Sequence, residues 1–122
     1  MGQNREGNWS IDYSQTKYAA VDASTTDDAG GVVITNGQTI AIFKVRGNGS
    51  DPNAYFILAW DWGGAAEKIL ASTRGDIDLT LDPSNTNNQV TGNGTKKLSI
   101  ILVNDSVVTS QIIGGGWEAT IL

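Results

Sequence analysis

With no histidine and no cysteine among its 122 residues, this chain leaves any chemistry to serines, carboxylates, lysines and aromatic rings. The missing residue types remove the usual general base near neutral pH, the commonest metal ligand, thiol nucleophiles and disulfides together. Serines are plentiful, but a serine becomes a nucleophile only with a base beside it, and no Gly-x-Ser-x-Gly elbow occurs. Asp76 and Asp78 would share one face of a strand roughly 7 Å apart, a spacing compatible with a glycosidase pair. The simpler reading is the solvent face of an edge strand, where charge blocks aggregation. Calcium needs six to eight hard oxygens; Asp76, Asp78, Asp82 and Asn85 are close in sequence, and Asp27 with Asp28 stand on another polar stretch. None follows the spaced Asp-x-Asp-x-Asp-Gly pattern, and turn chemistry, in which Asp and Asn bond their own backbone, accounts for them. No cofactor and no metal is expected, and an enzyme is not.

The aromatic residues offer more. Four tryptophans stand in a chain whose aromatic share is 7%. On a strand, Trp60 and Trp62 would share a face with Phe56 and Leu58, while Tyr55, Ile57 and Ala59 take the other. An exposed pair, Trp60 and Trp62, could stack on sugar rings; the preferred reading puts Phe56, Leu58 and Trp60 in a core with Trp62 near its rim. A strand apolar on both faces is either central or covered by another subunit. Gly47-Asn48-Gly49 and Gly92-Asn93-Gly94 open no helix, so neither is a phosphate cradle; both read as hairpin turns.

The elements that would carry these residues are strands. Trp9, Ile11 and Tyr13 alternate with polar residues, and Lys17 to Val21 reads as a second short strand. Asp22 to Gly31 reads as a loop. Val32 to Thr35 and Thr39 to Arg46 flank Asn36-Gly37-Gln38, a hairpin signal. Ala54 to Trp62 is the most apolar run; Gly63-Gly64 turns it back into Glu67 to Thr73. Asp76 to Leu81 alternates, Asp82 to Gly94 is a long polar loop, and Lys97 to Asn104 is a core strand. Val107 to Ile113 is a further strand, broken by Gly114-Gly115-Gly116 ahead of Trp117 to Leu122. No stretch sustains an apolar period of 3.6. Eight to ten short strands with Gly, Asn and Asp turns predict an all-β, antiparallel β-sandwich, and eight strands in two sheets predict a jelly roll.

Length and charge bound the rest. The chain fits one domain and can bury roughly 65% of its unfolded surface without staples. The division read from it is an arm, residues 1–7, and one sandwich domain, residues 8–122. The net charge of -5 repels phosphate backbones and anionic lipids, so neither nucleic acid nor membrane is an expected partner. No apolar run approaches a transmembrane length, and the polar start lacks a signal-peptide pattern. Absent disulfides fit assembly in a reducing cytoplasm.

Three features point toward assembly. Asn, Thr, Ser and Gly dominate with only 17% charged residues, the polar start reads as a docking arm, and the sequence closes on the apolar Trp117 to Leu122. The stretches Thr91 to Asn104 (Thr-Gly-Asn-Gly-Thr-Lys-Lys-Leu-Ser-Ile-Ile-Leu-Val-Asn) and Ile112 to Leu122 (Ile-Ile-Gly-Gly-Gly-Trp-Glu-Ala-Thr-Ile-Leu) resemble the closing strands of small β-sandwich virion proteins of tailed bacteriophages. That resemblance implies a jelly-roll capsid decoration protein, often trimeric, that reinforces the assembled head. It carries over no catalytic residue. The expected partners are viral capsid subunits and further copies of the chain, and the expected location is the virion, after synthesis in the host cytoplasm. The expected contacts are Gln3, Asn4, Arg5 and Trp9 in the arm region and Asp27 and Asp28 at a loop end. The alternative is a carbohydrate- or receptor-binding module using Trp60 and Trp62.

Overall fold

The computed structural model describes residues 10–48, 53–74, 77–106 and 111–122. The arm with Gln3, Asn4 and Arg5, together with Trp9 and Asp76, lies outside the described residues. Among the described residues there are nine strands: β1 (Tyr13–Val21), β2 (Thr25–Val33), β3 (Thr39–Asn48), β4 (Ala54–Trp60), β5 (Lys68–Arg74), β6 (Ile77–Thr80), β7 (Gln89–Thr91), β8 (Lys97–Asn104) and β9 (Gln111–Ile121). One turn of 3-10 helix, Thr86–Asn88, precedes β7.

Two antiparallel sheets result. The first runs β1-β9-β3-β6, with β7 also on β3; the second runs β2-β8-β4-β5. The pairing is nested. β4 and β5 form a hairpin at the middle of the chain, β3 pairs with β6, β2 with β8, and β1 with β9. Successive nested pairs fall in alternate sheets, as if one long hairpin had been rolled up. The roll is closed by β9 on β3 and β8 on β4.

The alternation seen in the sequence decides which side chains meet. Phe56, Leu58 and Trp60 of β4 and Leu98, Ile100 and Leu102 of β8 point to the inner face of the second sheet, where all are buried. From the first sheet Val21, Ile40, Ile42, Val45, Ile113, Trp117 and Ala119 answer them. A register shift against β9 between Ile42 and Lys44 moves the inward set on β3 from even to odd numbers, which is why Val45 follows Ile42 into the core. A second irregularity between Leu58 and Ala59 lets both Leu70 and Ala71 of β5 reach the core. The buried Asn104 amide donates to the Val21 carbonyl at 3.0 Å, tying β8 to the end of β1 across the sheets.

Several expectations change. Asp22 to Gly31 is mostly strand: Thr25 to Asp28 pair with β8, then a bulge with Gly30 at φ +99 re-aims the chain before Gly31. A polar edge strand reads like a loop in sequence, because only one side of it meets apolar neighbours. The Asn36-Gly37 turn exists, but its flanks do not pair. β2 and β3 belong to different sheets; instead the Gly37 N–H donates to the Gly92 carbonyl and the Gly92 N–H to the Gln38 carbonyl, both at 2.9 Å. The Gly92-Asn93-Gly94 stretch is likewise a crossover between sheets, not a hairpin. Gly47 and Asn48 close β3 itself.

The glycine triplet does not break the last strand; Gly114, Gly115 and Gly116 sit in the middle of β9. A Cβ on Gly115 would overlap the Phe56 ring and fall 2.6 Å from the Arg46 carbonyl oxygen. Glycine is therefore required where β9 faces Phe56 of the second sheet. Replacing Gly115 by alanine is expected to cost about 1–3 kcal/mol as overpacking, read as a lower denaturant midpoint with an unchanged slope.

Candidate functional site

Every second residue of a strand faces away from the core, and on the first sheet those residues come from three adjacent strands. β1 contributes Ser14, Thr16 and Tyr18; β9 contributes Gly114, Gly116 and Glu118; β3 contributes Lys44 and Arg46. The register sets Glu118 between Ser14 and Lys44, and Gly116 between Thr16 and Arg46. Because Gly116 has no side chain, this row is low in the middle. The outcome is a shallow groove of about 220 Å³ floored by Gly116 and bordered by Ile11, Tyr18, Lys44, Arg46 and Glu118.

Each border is held. The Tyr18 ring lies over Gly114 so closely that a Cβ there would overlap it, yet the residue stays 53% exposed. Glycine thus seats the ring on the sheet and leaves its far face open. Lys44 bonds Asp78 of β6 at 2.6 Å, and Arg46 approaches Glu118 at 3.5 Å. The hydrogen bond from the Lys44 ammonium, with its charge and that of Arg46, holds the Asp78 carboxyl below its usual range. Below the groove, the Trp117 indole N–H donates to Gln15 at 3.3 Å, fixing a buried ring under β1. At the start of β1, Asp12 accepts the Ile121 amide at 2.7 Å and the Thr120 hydroxyl at 3.3 Å, which pins Ile11 at the groove mouth.

The second sheet is different. On its outer face Ala59, Ile101 and Val103 form a separate buried apolar cluster, with Tyr55 and Ile57 partly buried around it. The strip continues to Ile69, opposite Ala59 on the edge strand β5, which is 48% exposed. β4 and β8 are central strands that are apolar on both faces.

The residues picked out from sequence are scattered. Trp60 is 5% exposed and belongs to the core, so it cannot form a sugar platform with Trp62. Trp62 is not on the strand at all: Asp61 turns the chain at φ +51, and Trp62 sits in the β4–β5 turn, 39% exposed. Asp27 and Asp28 are exposed on edge strand β2, and Asp28 accepts the Gly30 amide at 2.8 Å. Asp82 accepts from the Ser84 amide and hydroxyl at 2.9 and 2.7 Å, which lowers its carboxyl's pKa; this is the turn chemistry expected of it. Among the described residues, no three acidic side chains gather as a metal site would require. Sequence reasoning passed over Ser14 and Lys17, which have Ser-x-x-Lys spacing. On a strand that odd separation sends them to opposite faces, so no nucleophile–base pair forms. It also missed the groove, whose residues are up to 107 positions apart, from Ile11 to Glu118, and are brought together by strand pairing.

No family model, no curated protein and no solved structure matches this chain.

The depressed Asp78 pKa adds stability above the unfolded-chain value, and that contribution disappears as pH falls through the folded value. The pair is exposed, so salt weakens it. Carbonyl-carbon titration of Asp78 by NMR is expected to show ionisation persisting below the ordinary aspartate range. In Lys44→Met the midpoint should rise back toward that range.

Proposed function

We propose that this chain is a jelly-roll protein that acts by binding rather than catalysis: a virion structural protein of the capsid decoration type, with capsid subunits and copies of itself as partners. The strand order supports the jelly-roll part. With the short β7 set aside, the chain is a sequence of eight strands in nested pairs, rolled into facing sheets β1-β9-β3-β6 and β2-β8-β4-β5. Such nesting supports a double Greek key, an arrangement common in capsid and lectin domains.

The observation that carries the assembly reading is the outer face of the second sheet. A two-layer sandwich needs apolar residues only on its two inner faces. Here a second apolar cluster lies on the far side, around Ile101, and runs out to exposed Ile69. Ala59, Ile101 and Val103 are covered within the chain itself, so the part of the strip left for a contact is its exposed end at Ile69, with partly buried Tyr55 and Ile57 beside it. Stacking copies along this edge would hide Ile69, and a closed trimer would do so in a particle that repeats the contact many times. Each lattice junction then adds to the binding of the next domain of the same oligomer.

Light scattering of the purified protein is expected to give three times the chain mass. Ile69→Asp places a charge on that strip without touching the main core, so it should yield a folded monomer by circular dichroism. A monomeric parent protein, or an unchanged trimer in the variant, would rule the interface out.

A further inference from the structure

We infer that the groove on the outer face of the first sheet binds one ring-sized unit of a neutral, hydroxyl-rich glycan, with Tyr18 as its stacking platform and the Arg46–Glu118 pair as its hydrogen-bonding wall. The inference does not depend on the assembly reading, which concerns the opposite sheet.

Four observations select this ligand. The first is the ring: Tyr18 packs over Gly114, where a Cβ would overlap it, and the residue still stays 53% exposed, so aromatic surface is left for a ligand. The C–H face of a sugar ring fits such a surface, since aromatic rings carry negative potential on their faces and large apolar area at low entropic cost. The second is charge. The groove is lined by two cations, Lys44 and Arg46, and one anion, Glu118; Glu118 pairs with Arg46, and Asp78 on β6 pairs with Lys44 from outside the groove. An ionic ligand gains no net attraction there, whereas a hydroxyl gains from a guanidinium donor and a carboxylate acceptor side by side. Ser14 and Thr16 add hydroxyls from β1, across the Gly116 floor from Arg46.

The third is size. About 220 Å³ is below the usual range for a drug-sized ligand and suits one unit of a longer chain crossing the sheet. The fourth concerns the backbone. β9 is paired on both sides, by β1 and β3, so the floor offers no free edge to an extended peptide.

The test is affinity electrophoresis and calorimetry of the full chain against neutral glucans, mannans, galactans and N-acetylglucosamine oligomers. Binding of at least one is expected, changing less than about twofold between low and high salt. Tyr18→Ala should weaken it by about tenfold or more, as loss of a stacked ring does, and Tyr18→Trp should restore it. Trp62→Ala should leave it within about twofold of the parent. Circular dichroism checks that each variant is folded. The inference is overturned if no member of the panel binds at millimolar concentration, if Tyr18→Ala binds as well as the parent, or if only acidic polysaccharides bind and salt abolishes it. Groove amide shifts that follow protein concentration alone would assign the groove to a second copy of the chain and overturn it equally.

Discussion

The ring of Phe56 packs on Gly115 of the facing sheet so closely that a Cβ there would overlap it. That contact leaves no room for a side chain between Phe56 and the middle of β9. Once it is made, Leu58 and Trp60 on the same strand and Trp117 and Ala119 on β9 fall into register across the interior. Its requirement for glycine reaches the other side of β9 as well. Gly114 and Gly116 flank Gly115 and face outward, so the segment that lets Phe56 in also seats Tyr18 and leaves the groove floor empty. Core packing and surface shape are thus fixed by the same three residues. This strand is weak in intrinsic propensity, since glycine packs nothing and loses the most entropy on ordering. Pairing with a neighbour on each side, and burial of all three glycines, offset that weakness.

The two sheets then present unlike outer faces. On the first, charges from β3 and β6 pair with one another and with Glu118, and apolar groups are confined to its rim and the Tyr18 platform. On the second, β8 and β4 are apolar on both sides, and the apolar strip runs out to an edge. The polarity follows from strand position: β4 and β8 are central strands, and their outer residues are Tyr55, Ile57, Ala59, Ile101 and Val103.

Much of this fold was legible in the sequence where the signal is local. The alternation in Ala54 to Trp60 and Lys97 to Asn104, and the turn at Gly63-Gly64, correspond to β4, β8 and the hairpin to β5. What escaped the sequence depends on partners far away. Gly114 to Gly116 reads as a break because nothing nearby records Phe56 or Tyr18. Asn36-Gly37 reads as a hairpin because its local chemistry is that of one; the inward Val32 and Ile34 on one side and Ile40 on the other belong to opposite layers. Trp62 looked like a strand partner of Trp60 because a positive φ at Asp61 leaves no mark in an aspartate. The groove was invisible for the same reason: Tyr18, Arg46 and Glu118 are ordinary surface residues until β9 is placed between β1 and β3.

The placement of the glycine triplet at the centre of a sheet is the claim on which the core and the groove both depend, and amide hydrogen exchange tests it directly. If Gly114, Gly115 and Gly116 are paired strand residues, their amides should exchange as slowly as those of Ile100 to Leu102 in β8. Exchange as fast as at Gly63 and Gly64, in the exposed β4–β5 turn, would mean that the triplet is a break in the chain, and neither the Phe56 contact nor the groove could stand.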